Sequence, residues 1–262
     1  MRLTVIAAAL CIATSLTSAQ PAEVTDLPAA PGGRVVEVID GDTVILSNGD
    51  EVRMVGIQAP KLPLDRAGFR AWPLADEAKA TLEALVRDRS FTQHFGGAHI
   101  DRHGRVLAHL VSESGIWLQG EMLRLGMARV YTFPDNIALA QEMLALEDEA
   151  RRNRFGIWSH PFYAIRSPDD SARDIGTFQI VEGVIREAAD VRGDIYLNFG
   201  ANWRDDFTVA IRRENRNRFG DLSPADRQGA QIRVRGWLKP RNGPMIEATH
   251  PEQIELLKGP SR

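Results

Sequence analysis

The stretch from Arg34 to Ile57, RVVEVIDGDTVILSNGDEVRMVGI, constrains the fold more than any other segment. β-Branched residues recur through it in short runs, and the runs are broken at Gly41-Asp42 and at Asn48-Gly49. Such runs bury one face of a strand, and Asn-Gly supplies the positive backbone angles of a tight hairpin turn. The expectation is three strands in a meander.

Helix and strand signals then alternate. QAPKLPLDRAGFRAWP reads as a loop with three prolines, the last of which, Pro73, suits a first helical turn. LADEAKATLEALVRD carries Ala75, Ala78, Leu82 and Leu85 at helical spacing, with acids early and arginine late. Ser90 to Phe95 and Val106 to Val111 read as strands, and Trp117 to Leu125 and Ile137 to Arg152 as helices. The order β-β-β-α-β-β-α-α predicts a mainly β module with three helices over residues 34–160. Composition shifts at SHPFYAIRSPDDSARD, which reads as a linker over residues 161–176. Beyond it, FQIVEGVIREA, DIYLNFG, DFTVAI, QIRVRGWLK and PMIEATH are five strand candidates, expected to close a second small β-barrel of the OB type over residues 177–262.

The N-terminus carries a different signal. Arg2, the apolar run Leu3 to Leu16 and Thr17-Ser18-Ala19 read as a secretory signal over residues 1–19, cleaved after Ala19. The run is shorter than the roughly 20 residues of a bilayer span; a retained anchor is the alternative. The expectation is a periplasmic or secreted protein with no membrane span in its mature form. The single cysteine, Cys11, lies in this segment, so the mature chain has no disulfide to lean on. Residues 20–33, QPAEVTDLPAAPGG, read as a flexible leader.

With a net charge of −3, the chain is not a polycation that grips nucleic acid by charge alone. Phosphate would have to be met by individually placed arginines. Arg53 lies in the third strand and Arg105 in the turn DRHGR; two convergent guanidiniums could clamp a phosphate with bidentate bonds. Spacing alone does not bring them together, and a solvated face is the plainer reading of either. Asp40 and Asp42 share one turn, and hard divalent cations want several oxygen ligands. Asp-Gly turns also occur for backbone reasons alone. The six histidines show no spacing that suits zinc.

Taken together, IDGDTV, an arginine strand ending in GI-x-AP, DRHGR, LRLGMARVY and EAR…GIW resemble the staphylococcal nuclease (thermonuclease) family from about Arg34 to Trp158. The resemblance implies a five-stranded OB barrel with three helices, and an exported, calcium-dependent phosphodiesterase acting on DNA and RNA. It puts Asp42 on the calcium carboxylate, Asp40 beside it, and Arg53 and Arg105 on the two phosphate-binding arginines, where they would stabilise charge in the transition state. The next loop departs from the family pattern G-I-D-A-P-E. Here Gln58 stands where the family has the aspartate that completes the calcium site, and Lys61 where it has the glutamate that assists water. Glutamine keeps a carbonyl but loses the charge, so calcium should bind weakly. Losing a positioned general base commonly costs about 10²–10⁴-fold in rate. Lys61 could instead pair with a phosphate. Asp65, four residues on, could swing a replacement carboxylate to the site, or merely pair with Arg66 or Arg70 at the surface.

In the second module Tyr196, Phe199, Trp203 and Phe207 precede Arg212, Arg213, Arg216 and Arg218. OB barrels stack bases on aromatics in a basic groove, but the same aromatics could fill a barrel interior. Two functions follow: weak, calcium-assisted hydrolysis of nucleic acid, or a non-catalytic module of the cell envelope that binds nucleic acid or a protein.

Overall fold

The computed structural model describes residues 23–220 and 227–259. The expected signal segment lies outside the described residues.

The first half contains β1 (Ala29–Asp40), β2 (Thr43–Leu46), β3 (Glu51–Met54), β4 (Ile57–Gln58), helix α1 (Ala75–Val86), β5 (Ser90–His94), β6 (Val106–Ser112), α2 (Leu118–Arg124), β7 (Arg129–Val130) and α3 (Ala140–Arg152). Five of the strands close a barrel in the order β1-β2-β3-β6-β5. Its pairings are antiparallel except β3 with β6, which run parallel. The three expected helices and five expected strands are all present. The ribbon of β4 and β7 was not anticipated, because two residues are too few to show a period.

Inward residues explain the closure. Val44, Leu46, Val52, Met54, Ala108 and Leu110 fill the barrel, and Leu82, Leu118, Met122, Leu123 and Met143 of the helices cap it. Helix α1 buries Ala75, Ala78, Leu82 and Val86, with Leu85 only partly covered. It starts after Leu74, whose left-handed backbone (φ 64°) closes off the preceding loop, so Pro73 is not its first residue. Full burial of each leucine stabilises by about 1.5–3 kcal/mol.

Strand β1 begins five residues before the expected Arg34. Ala29 to Gly33 pair with β5, from Ala29 opposite His94 to Gly33 opposite Phe91. That part of the expected leader is needed to close the barrel. Its Pro and Gly fall at a register shift between Pro31 and Gly33, where they cost little ladder bonding.

The second half holds β8 (Phe178–Val184), β9 (Glu187–Val191), β10 (Asp194–Asn198), β11 (Thr208–Ile211), β12 (Gln231–Pro240), β13 (Pro244–Ala248) and β14 (Ile254–Lys258). FQIVEGVIREA is thus two strands, interrupted at Ile185 and Arg186, and β14 was not foreseen. With β8 and β9 taken as one interrupted strand, the pairings run β9-β10-β11-β13-β12-β8 and close on themselves. Again one pair, β11 with β13, is parallel. Both halves therefore share the same strand order, that of an OB barrel.

The connecting segment is packed rather than free. Tyr163 donates to the Pro73 carbonyl at 2.6 Å, and Arg166 exchanges backbone bonds with Ile180 and Glu182 of β8. Across the junction Arg235 of β12, 1% exposed, meets Glu147 of α3 at 2.9 Å, and the Trp237 indole donates to the Tyr131 hydroxyl at 3.0 Å. No helix among the described residues is long and apolar enough to cross a membrane.

Candidate functional site

The turn between β1 and β2 carries the acidic pair. Asp40 lies opposite Thr43, and the Asp42 amide donates to Asp40 Oδ1 at 3.0 Å, which tightens the turn around Gly41. A Cβ on Gly41 would come within 2.7 Å of Ala59 Cβ and 2.9 Å of Ala78 Cβ. Only glycine lets helix α1 and the loop after β4 press this closely on the turn.

The Asp42 side chain is fully buried, and every partner it has is supplied by a nearby element. Its Oδ2 accepts from the Ala59 amide at 2.7 Å and its Oδ1 from the Thr43 hydroxyl at 3.2 Å. Arg53 Nη1 lies 3.2 Å from Oδ1. Lys61 Nζ donates to both Asp42 oxygens at 2.7 Å and to Asp40 Oδ2 at 3.1 Å. Burial alone would raise the Asp42 carboxyl, but the charges of Arg53 and Lys61 hold it far below the ordinary carboxylate range. Asp40 moves the other way: burial and the neighbouring Asp42 charge push it up, and Lys61 offsets only part of this. Arg53 is itself pinned, donating to the carbonyls of Met54 at 2.8 Å, Ile57 at 2.7 Å and Asp42 at 3.3 Å. Two carboxylates thus face one ammonium and one guanidinium in a closed cluster.

Four of the seven candidate residues come together here: Asp40, Asp42, Arg53 and Lys61. The other three make no hydrogen bond or ion pair to this cluster among the described residues. Gln58 is turned away from the acidic turn. Its Oε1 accepts from Arg129 Nε at 2.9 Å and Nη2 at 2.7 Å, and the Arg129 guanidinium lies 4.7 Å from the Phe178 ring of the second barrel. Burial lowers the Arg129 guanidinium to about 10. Arg105 is held within its own turn, with Nε at 2.9 Å and Nη2 at 2.7 Å from Asp101 Oδ2. Asp101 Oδ1 also accepts from the backbone of His103 and Arg105, so the whole turn is knit around this carboxylate. Asp65 stands exposed at φ 62° and forms no hydrogen bond or ion pair among the described residues. Arg66 bonds the Leu62 and Pro63 carbonyls and lies over Phe69 at 3.9 Å, so neither expected pairing of Asp65 is formed.

Sequence reading missed Asp101, Thr43, Arg129 and the Ala59 amide. Asp101 was within reach, since an acid four residues before Arg105 in a Gly-containing turn is a local pattern. Arg129 carries no such signal: its partner is 71 residues away.

An OB barrel with three helices, an acidic first turn and an arginine on the facing strand defines a nuclease-fold protein. Residues 51–160 match the family model described as staphylococcal nuclease homologue. The chain is 31% identical over 149 residues to an uncharacterized protein, MJ1439, of Methanocaldococcus jannaschii, covering 48% of this chain and 71% of the relative. It is 30% identical over 152 residues to Endonuclease Htp3 of Saprolegnia parasitica, covering 48% and 69%. Endonuclease YhcR of Bacillus subtilis is 28% identical over 220 residues, 79% of this chain and 17% of that protein. The chain belongs to the staphylococcal nuclease family.

The calcium ion that this family implies does not fit the residues as they stand. Calcium needs six to eight oxygens at about 2.3–2.6 Å. Here the Asp40 and Asp42 oxygens already receive the Lys61 ammonium, and the Gln58 carbonyl faces Arg129. Bringing in a second cation at this spot would set it against the charge of Lys61.

Proposed function

We propose that this is an exported nuclease-fold protein that acts on nucleic acid by binding it, with calcium-dependent hydrolysis impaired. The observation that carries the reading is the seat of Lys61 Nζ between the Asp40 and Asp42 carboxylates. It supports the reading in two ways. The ammonium takes the oxygens a metal would need, and, having no lone pair, it cannot accept a proton from an attacking water. Nucleic acid as the ligand class is supported by family membership and by the endonuclease names of several relatives. Export is supported by the Arg2, Leu3–Leu16 and Thr17-Ser18-Ala19 pattern.

Hydrolysis with calcium displacing Lys61 is the competing reading, and the retained Asp42–Arg53 pair at 3.2 Å favours it. Digestion of single-stranded DNA and RNA by the mature protein, with and without calcium, separates the two. Binding without calcium-dependent cleavage is expected; calcium-dependent turnover that Arg53→Ala abolishes would refute impairment. An N-terminus near Gln20, measured by mass spectrometry on envelope extracts, is the expected mark of export.

A further inference from the structure

On the second barrel one sheet face does something unusual for an outward face. Ile195, Leu197, Val209 and Ile211 point into the core, so their neighbours in β10 and β11 point outward. Glu187, Asn198, Thr208 and Met245 lie side by side in one cross-strand row, set by the registers of β9, β10, β11 and β13. Yet Asn198 is 7% exposed, Thr208 2% and Met245 3%. They form the floor of a cavity of about 420 Å³ that Tyr196 also lines, with Trp203 from the β10–β11 loop and Arg241 from the β12–β13 hairpin at its rim. That volume is in the range of small-ligand sites.

The lining has the parts of a nucleotide site. Trp203 is 48% exposed, and the Arg204 guanidinium lies over its ring, 4.5 Å from the centroid. The Asn198 Oδ1 accepts from the Thr208 hydroxyl at 3.1 Å, while its amide nitrogen has no partner among the described residues and is free to meet a ligand acceptor. Neither Arg204 nor Arg241 pairs with a carboxylate among the described residues, unlike Arg212 and Arg216, which are held by Asp194 and Asp190. Phe199 and Phe207, by contrast, are core residues with rings 5.0 Å apart. The aromatic series read from sequence therefore divides: two rings fill the barrel, and Trp203 and Tyr196 serve its surface.

We propose that this cleft binds single-stranded nucleic acid, one base stacking on Trp203 and reaching Asn198, with Arg241 and Arg204 on the flanking phosphates. Arg241 at the rim and Arg204 beside Trp203, two guanidiniums against the single carboxylate of the lining, Glu187, favour an anionic chain over a neutral glycan, although strands of this face in OB barrels receive either. The site is separate from the acidic turn of the first barrel and shares with the proposed function only the class of ligand.

The test uses the full mature chain in EDTA at low salt, where no calcium can act. Labelled (dT)10 is titrated by fluorescence anisotropy, and a 5-iododeoxyuridine oligonucleotide is photo-cross-linked and mapped by mass spectrometry. Trp203→Ala is expected to weaken binding roughly 5- to 150-fold, as stacking losses do. Arg241→Ala is expected to lessen the salt dependence by about one phosphate's share. Cross-links should fall on the peptide carrying Trp203. Both side chains are exposed on loops, so circular dichroism should match the wild type. Cross-links confined to the first barrel, with both variants binding normally, would overturn the cleft and leave the proposed function standing. Absence of binding by the wild type would overturn both. Chitohexaose perturbing the Trp203 fluorescence while (dT)10 does not would make the cleft a glycan site and overturn the assignment.

Discussion

Lys61 Nζ lies 2.7 Å from each carboxylate oxygen of Asp42, nineteen residues earlier in the chain, and so acts as a built-in cation for the acidic turn. Removing one partner of a buried ion pair costs about 3–5 kcal/mol, because the other charge is left uncompensated. Lys61→Ala should therefore destabilise by about 3 kcal/mol in urea unfolding at neutral pH. Calcium should restore much of that, since a ligand at 100 times its Kd adds about 2.7 kcal/mol. The wild-type midpoint should not move with calcium. An equal calcium shift in wild type and variant would show that Lys61 does not occupy the metal position.

The two arginines should separate cleanly in stability. Arg53 donates to three carbonyls and pairs with a fully buried carboxylate, so Arg53→Ala should cost at least about 2 kcal/mol. Arg105 pairs with Asp101 within a hydrophilic turn, and Arg105→Ala should cost under about 1 kcal/mol. Chemical denaturation of both variants checks the order. A large loss from Arg105→Ala would mean that its turn is tied to the barrel in some further way.

The junction between the barrels rests on an ion network. Arg235 meets Glu147 and Glu255, while Glu147 also accepts from the Val130 amide at 2.6 Å. Burial would lift the Glu147 carboxyl, yet Arg235 above all holds it low. Arg235→Ala should cost about 3–5 kcal/mol and split unfolding into two transitions as the barrels uncouple. Retention of a single cooperative transition with unchanged midpoint would argue against this network as the coupling element.

Acid should loosen the same junction. His250 bridges the halves, with Nε2 at 2.8 Å from the Thr132 hydroxyl. Burial, aided by the Arg218 charge, pushes its pKa down to about 4. The unfolded chain, with histidine near 6.5, binds the proton first, so the His250 contribution is complete above that value and is lost as pH falls towards 4. Stability measured between pH 7 and pH 4 should decline, and less steeply in His250→Gln. Identical slopes would show that His250 does not carry the effect, leaving other buried groups such as His109, pushed down to about 3, to account for any decline.

Much of the fold is local and was readable. Strand and helix periods, the Asn48-Gly49 turn and the acidic turn at Asp40 and Asp42 are written within a few residues, so the first barrel's elements and their order follow from the sequence. The presence of a lysine in place of a carboxylate was equally plain at position 61. What the chain could not show was where side chains point once distant segments meet. The Ala59 amide faces Asp42 while the adjacent Gln58 side chain faces Arg129, a partner 71 residues away. Arg235 finds Glu147 at a separation of 88 residues, and the expected linker becomes a packed strap because Arg166 joins β8. Periodicity determines which residues share a face, but partners on facing elements depend on register and packing between segments, and only the closed tertiary structure decides those.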